Sequence, residues 1–397
     1  MSSQPQPQKT ASRVVALRID TTSGSLLHRL STPPWGRAGA VSPAAAFLLA
    51  IGATYVPLAA AALLGPLPLS STTHALRLPF LYDWNVAFMF LVSFPCLIVL
   101  TVTDDRALAS SLKRVQLDGT VTVSESDATA LASRWKRLFR VTNIAAQWTG
   151  LTIGTLLAYF NYISYAPSSV GYWIADGGRL APVGFVFLYC IFLFYALIPI
   201  YVLRSAAVTF LLKDLVAHAE LRMLPFHPDK SGGLRPVGRL GLRNQYGLTI
   251  FGVNVALLVS ISLLYLDVPR SLYGLIVAAA IAYLILGPMA FIGPLLPFRG
   301  GMLRTKAELM GEVAQRLRVE LQRLRGQLAA GPITKDDEEL VDRLRKIGAV
   351  IDELPVWPFD AGTLRKFLAA YVIPVISVVG YPLATAIADA VLKRLRP

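Results

Sequence analysis

The stretch LPFHPDKSGGLRPVGRLGLRNQYG, residues 224–247, gathers the densest set of reactive side chains in the chain. His227, Asp229, Lys230 and Ser231 place an imidazole, a carboxylate, an ammonium and a hydroxyl directly before Gly232 and Gly233. Those glycines permit positive φ and a close backbone approach to a ligand. Arg235, Arg239 and Arg243 follow as spaced donors of the kind that meets phosphate or carboxylate. His227, Asp229, Lys230, Ser231, Gly232, Gly233 and Arg235 are therefore the candidate ligand-binding residues, with an anion the expected ligand. The same residues also suit an ordered turn, in which His227 and Asp229 bond nearby amides and the arginines face lipid phosphates. The glycines and prolines argue against a regular helix anywhere in 224–247.

Other reactive groups are sparser. His218 and Glu220 could join His227 and Asp229 around a divalent ion if the loop folds back, and Asp104-Asp105 could hold a metal-linked phosphate, although nothing else at metal-ligand spacing accompanies that pair. No metal or cofactor is expected. The chain lacks HExxH, GxSxG, Walker A and dinucleotide-binding patterns, so enzyme is the least favoured class. Gln147, Asn161 and Asn254 are the candidate polar residues inside apolar runs, where they could join helices or line a weakly polar route. Cys96 and Cys190 lie in apolar runs as small hydrophobes, with no disulfide expected.

These groups must be positioned by a membrane protein. The 397 residues are 54% hydrophobic and 16% charged, and the mean hydropathy is +0.55, too apolar for a soluble domain of this size. Six runs approach the roughly 20 apolar residues that cross a bilayer: 42–64, 85–102, 144–165, 183–203, 248–266 and 272–292. A seventh, 367–392, contains Pro374, Gly380 and Pro382 and reads as a kinked span or a re-entrant segment. The expected fold is all-α, a bundle of about seven spans. Lys and Arg set its direction: about five precede the first run, and about seven, seven and thirteen fill the even-numbered interhelical segments, against about one in each of the others. That places the N-terminus, and the segments 103–143, 204–247 and 298–366, in the cytoplasm, the setting of an inner-membrane protein. The tail over 1–41 is expected to be partly disordered.

The net charge of +14 follows from this topology and needs no nucleic acid. The expected partners are the bilayer and its anionic headgroups. Residues 302–354 add a possible protein partner or second copy. There Met310, Val313, Leu317, Leu321, Leu324 and Leu328 form one stripe, and Leu340, Leu344, Ile347, Ile351 and Leu354 a second. With a break at 329–333, they predict an antiparallel helical hairpin, or a coiled coil with another chain. Segments 42–102, 144–203 and 248–297 hold spans one to six in pairs, and 367–397 the last one.

Local signals fill in the joints. Asp118-Gly119 marks a turn, Ser124 with Asp127 a helix cap, Gly150 and Gly154 a small-residue packing face, and Asp360 a cap for a helix near Thr363. Gly287 through Pro297 reads as a helix terminus or as the interrupted helix of a transporter site. PFHPDKSGGL in the loop and PVWPFD at 355–360 together resemble motifs of uncharacterised bacterial multi-pass membrane proteins. The resemblance implies a bacterial inner-membrane family and no assigned activity. On these grounds the expected function is a non-enzymatic membrane component whose cytoplasmic layer docks a partner or senses a ligand, the alternative being a channel or transporter.

Overall fold

The computed structural model describes residues 42–65, 69, 78–165, 172–176, 179–223, 227–264, 270–328 and 335–376. The expected tail, the break at 329–333 and the last segment beyond 376 lie outside them. Among the described residues the fold is all-α, with strand confined to two antiparallel two-residue pairs. Five helical stretches are long and apolar enough to cross a membrane: Pro43–Leu64, Trp84–Leu117, Pro182–His218, Arg235–Ile261 and Val277–Gly326. The expected third span, 144–165, lies in a 41-residue helix that is not among the five. Gln147, Thr149, Thr152 and Asn161 dilute its apolar character.

Helices α1 (Pro43–Ala53) and α2 (Tyr55–Leu64) are joined at Thr54, whose hydroxyl bonds back to Ala50 O at 2.8 Å. Short α3 (Trp84–Phe88) is capped by Asp83, which accepts from Val86 N at 3.0 Å. It runs through a π turn at Met89–Ser93 into α4 (Phe94–Leu117). The wider turn accommodates Pro95, which has no N–H to give the preceding ladder. Gly119, at φ 69°, turns the chain into β1 (Val121–Thr122). Then α5 (Glu125–Tyr165) begins under the predicted cap, Asp127 N donating to Ser124 Oγ at 3.1 Å.

Opposite α5 lies α6 (Pro182–His218), which follows β2 (Ala175–Asp176) and β3 (Arg179–Leu180). The two helices run antiparallel. Trp135 Nε1 donates to Asp214 at 3.1 Å near one end. Farther along, Gly150 lies so close to α6 that a Cβ there would stand 2.4 Å from Ala196 O, and one at Gly154 2.9 Å from Phe192 O. The small-residue face is thus a true helix contact. After β4 (Glu220–Leu221), which pairs with β1, α7 (Arg235–Leu264) begins thirteen residues earlier than the expected span at 248.

That early start corrects the reading that 224–247 cannot be helical. Pro236 sits in the first turn, where its missing N–H leaves no bond unmade. The glycines act as contact points. A Cβ at Gly238 would stand 2.4 Å from Pro358 O, one at Gly241 2.7 Å from Phe291 O, and one at Gly247 2.2 Å from the Tyr201 hydroxyl.

The expected helix terminus at Gly287–Pro297 also needs correcting. Helix α8 (Arg270–Ile292) passes through Pro288 and continues by one 3-10 turn, Gly293–Leu295, into α9 (Leu296–Leu328). Pro294 and Pro297 fall at the starts of these turns, where a donor is dispensable. Next comes α10 (Lys335–Asp352). Lys306 pairs with Asp352 at 3.1 Å, Val313 approaches Gly348, and Arg323 pairs with Asp337, so α9 and α10 lie side by side over this length. A last helix, α11, spans 361–376 and is capped as predicted, Thr363 N donating to Asp360 Oδ1 at 3.0 Å. It runs back along α8: Phe367 stacks on Phe291 at 4.3 Å, and Tyr371 donates to Leu284 O at 3.0 Å.

Two apolar cores result, one around Phe90, Trp173, Phe187 and Phe194, the other around Trp135, Phe139, Leu211 and Phe298. Leu48, Leu63, Leu156, Phe185, Ile281 and Met289 remain exposed outside both. So much outward apolar surface is stable against lipid and a liability in water.

Candidate functional site

At the end of the bundle bearing most of the charge, the 227–234 loop folds around its own carboxylate. Asp229 Oδ1 accepts from Ser231 N at 2.9 Å and Gly233 N at 3.1 Å, and Oδ2 accepts from Arg235 N at 3.1 Å. His227 Nδ1 stands 2.7 Å from Oδ1. Burial by itself pushes the Asp229 carboxyl up, but the three amides and His227 outweigh it and hold it below its ordinary 3.8. Lys230, Gly232 and Gly233 adopt φ of 55°, 63° and 90°, and this left-handed run is what turns three amides toward one side chain. Ser231 is fully buried, and its hydroxyl bonds to Asp229 O.

The loop is locked from two sides. A Cβ on Gly233 would stand 2.2 Å from Thr120 Oγ1, next to β1, and one on Gly232 3.8 Å from Pro355. Arg235 reaches Asp360 at 3.2 Å, and Arg299 lies over the Trp357 ring at 4.8 Å. HPDKSGGL and PVWPFD, more than a hundred residues apart, therefore form one interlocked unit. Seven candidate residues meet here, and the Asp229 oxygens are occupied by this chain's own amides. Among the described residues no three His, Cys, Asp or Glu side chains converge as a metal site. His218 turns to Asp214 and Glu220 to Arg222.

One level deeper, α4, α6 and α7 share a buried charge cluster. Asp105 pairs with Arg204, which is 3% exposed, and Asp104 lies 3.6 Å from Arg243 Nε. Arg243 also donates to Leu100 O at 2.8 Å and to the Thr103 hydroxyl. Two carboxylates and two guanidiniums sum to zero, which is how a low-dielectric bundle tolerates them. The sequence presents Asp104-Asp105 without partners because Arg204 lies 99 residues from Asp105 and Arg243 139 from Asp104, and only the fold brings them in.

Near the opposite end is a cavity of about 240 Å³ between α3 to α8. Asn85, Asn161 and Asn254, each 6% exposed, line it among Met89, Leu157, Phe187, Phe194 and Phe251. Asn254 Nδ2 donates to Ile250 O at 3.0 Å and to Ser93 Oγ in the π turn at 2.5 Å. Asn161 Nδ2 donates to Leu157 O at 2.7 Å. Among the described residues, the side-chain oxygens of Asn85 and Asn254 are buried without a hydrogen-bond partner. Beside the cavity, Tyr172 and Trp173 both donate to Asp83, at 2.5 and 3.0 Å.

No family model, curated protein or solved structure matches this chain.

The structure thus brings two of the three candidate intramembrane residues, Asn161 and Asn254, into one cavity, while Gln147 lies elsewhere on α5 and does not line it. Asn85 is the member that sequence reasoning missed. Its position just after Tyr82-Asp83-Trp84, at the start of a span, looks interfacial. What buries it is the Asp83 cap, which fixes the entry of α3.

Proposed function

We propose that the chain is a non-catalytic protein of a bacterial inner membrane that works by docking a helical partner on a cytoplasmic arm formed by α9 and α10. The carrying observation is that the two apolar stripes only partly cover each other. Leu324 and Leu344 are buried between the helices, but Leu321 and Ile347 remain 48% exposed. Two helices have too little mutual surface to bury both stripes, so a third element is the natural completion. A groove of about 260 Å³ runs along Leu321, Leu324 and Val341, rimmed by Asp337, Glu338, Asp342 and Arg345, with Asp337 paired to Arg323 and Asp342 to Lys346. That apolar floor between charged side chains suits the apolar face of an amphipathic helix.

The Lys and Arg asymmetry supports the cytoplasmic placement of the arm, and the antiparallel hairpin is supported by the Lys306–Asp352 and Arg323–Asp337 pairs. The seven-span reading is supported by α11, which runs back along α8 as a seventh span would. Docking is favoured over ligand sensing by the 227–234 loop, since Asp229 is already satisfied internally.

The test is cross-linking in native membranes from Glu338→Cys, at the exposed rim of the groove, beside the same chain carrying Leu321→Asp and Ile347→Asp. One defined adduct is expected, reduced about tenfold by the two aspartates, since each places a carboxylate where apolar surface must be buried. An adduct of twice the chain's mass would make the partner a second copy. Absence of any adduct in membranes that retain the folded chain would sink the docking reading.

A further inference from the structure

We propose that the cavity lined by Asn85, Asn161 and Asn254 binds a neutral, largely apolar molecule from the bilayer through a hydroxyl that donates to the vacant Asn254 oxygen, with the vacant Asn85 oxygen as the alternative acceptor in the same wall. This goes beyond the docking reading and does not depend on it. The amide of Asn254 has a fixed sense: its nitrogen serves Ile250 O and Ser93 Oγ, which leaves the oxygen as the unoccupied end. Asn85 offers a second vacant acceptor in the same wall. Buried acceptors without donors are rare in folded proteins, and two in one cavity point to a donor arriving from outside the chain.

The rest of the wall defines that donor's carrier. Among the described residues the lining side chains include no Asp, Glu, Lys, Arg or His, so they offer a charged ligand no counter-ion. Most of the surface is carbon from Leu157, Phe187, Ile191, Phe194, Phe251 and Leu258. At about 240 Å³ the space exceeds the roughly 150 Å³ in which an engineered apolar cavity holds benzene. A one- or two-ring phenol, or the hydroxyl end of a lipid-like alcohol, therefore fits. A water could serve the asparagine end, which has the two to four polar partners it needs, but the carbon-walled remainder of the cavity offers water none. The ligand's carbon body meets the aromatic wall and its hydroxyl meets the amides.

The experiment uses the full chain in phosphatidylethanolamine–phosphatidylglycerol nanodiscs and a diazirine-bearing phenol as photolabel. Label is expected on peptides containing 153–161 and 251–258. Competition by 2-naphthol should reduce it about tenfold, while naphthalene at equal concentration reduces it about twofold or less, because only the naphthol carries the donor the site requires. Asn85→Leu with Asn254→Leu should remove the preference for the naphthol. If that pair fails to fold, Ala279→Phe decides, since it fills the wall from α8 while leaving the Asn254–Ser93 contact intact, and it should also lower labelling about tenfold. Equal competition by naphthalene, label spread evenly over lipid-facing α1, or undiminished labelling of Ala279→Phe would each overturn the proposal.

Discussion

Arg204→Ala is expected to cost the bundle about 3–5 kcal/mol, the usual consequence of removing one partner of a buried pair. Arg204 is 3% exposed and sits against Asp105, with Asp104 next in the chain. Without the guanidinium, Asp105 loses its buried cation beside a second carboxylate, and Arg243 already divides its donors among Asp104, Thr103 and Leu100 O. Arg204→Lys restores the charge but not the planar fork, so a partial loss is expected. The deciding control is Arg204→Met with Asp105→Leu. Deleting both charges together is expected to lie within about 1–2 kcal/mol of the parent, since well-packed apolar residues often replace a buried pair at little cost. Chemical unfolding of the purified chain in detergent reads all three. An Arg204→Ala protein as stable as the parent would mean that water reaches Asp105 and that the cluster does not join α4 to α6.

Which features could be read from the sequence follows from how far apart their determinants lie. The Ser124–Asp127 and Asp360–Thr363 caps are contacts over three residues, and both formed as expected. The Gly150 and Gly154 face needs only helical spacing on one element, and α6 indeed packs on it. Apolar run length predicted most of the bundle for the same local reason. It failed at 224–247, where glycine was read as a helix breaker although Gly238, Gly241 and Gly247 lie in α7 against Pro358, Phe291 and Tyr201. Each contact is long-range, and helix propensity is a weak prior against tertiary packing. The union of the Asp229 loop with the Trp357–Asp360 segment is illegible for the same reason, as is the meeting of Asn85 with Asn254.

Asp229→Ala is the second large effect expected, about 2–4 kcal/mol, because one side chain satisfies three amides and each buried N–H left unpaired costs about 1–3 kcal/mol before relaxation. It also removes the cap of α7, since Oδ2 holds Arg235 N at the first helical position. Asp229→Asn should fall between the two proteins. Its single amide oxygen can serve the pair from Ser231 and Gly233 or the one from Arg235, but not both sets as the carboxylate does. Hydrogen exchange locates the damage: Ser231, Gly233 and Arg235 amides should lose protection while those of α5 and α6 keep theirs. The pH dependence has a definite sign. The folded carboxyl is held below 3.8, so the contribution is complete at neutral pH and is lost as the pH falls through that lower value. Acidification through that lowered value should therefore open the loop in the parent and leave the already open Asp229→Ala loop unchanged. Equal acid sensitivity in the two proteins would show that another group, and not Asp229, holds this corner of the bundle together.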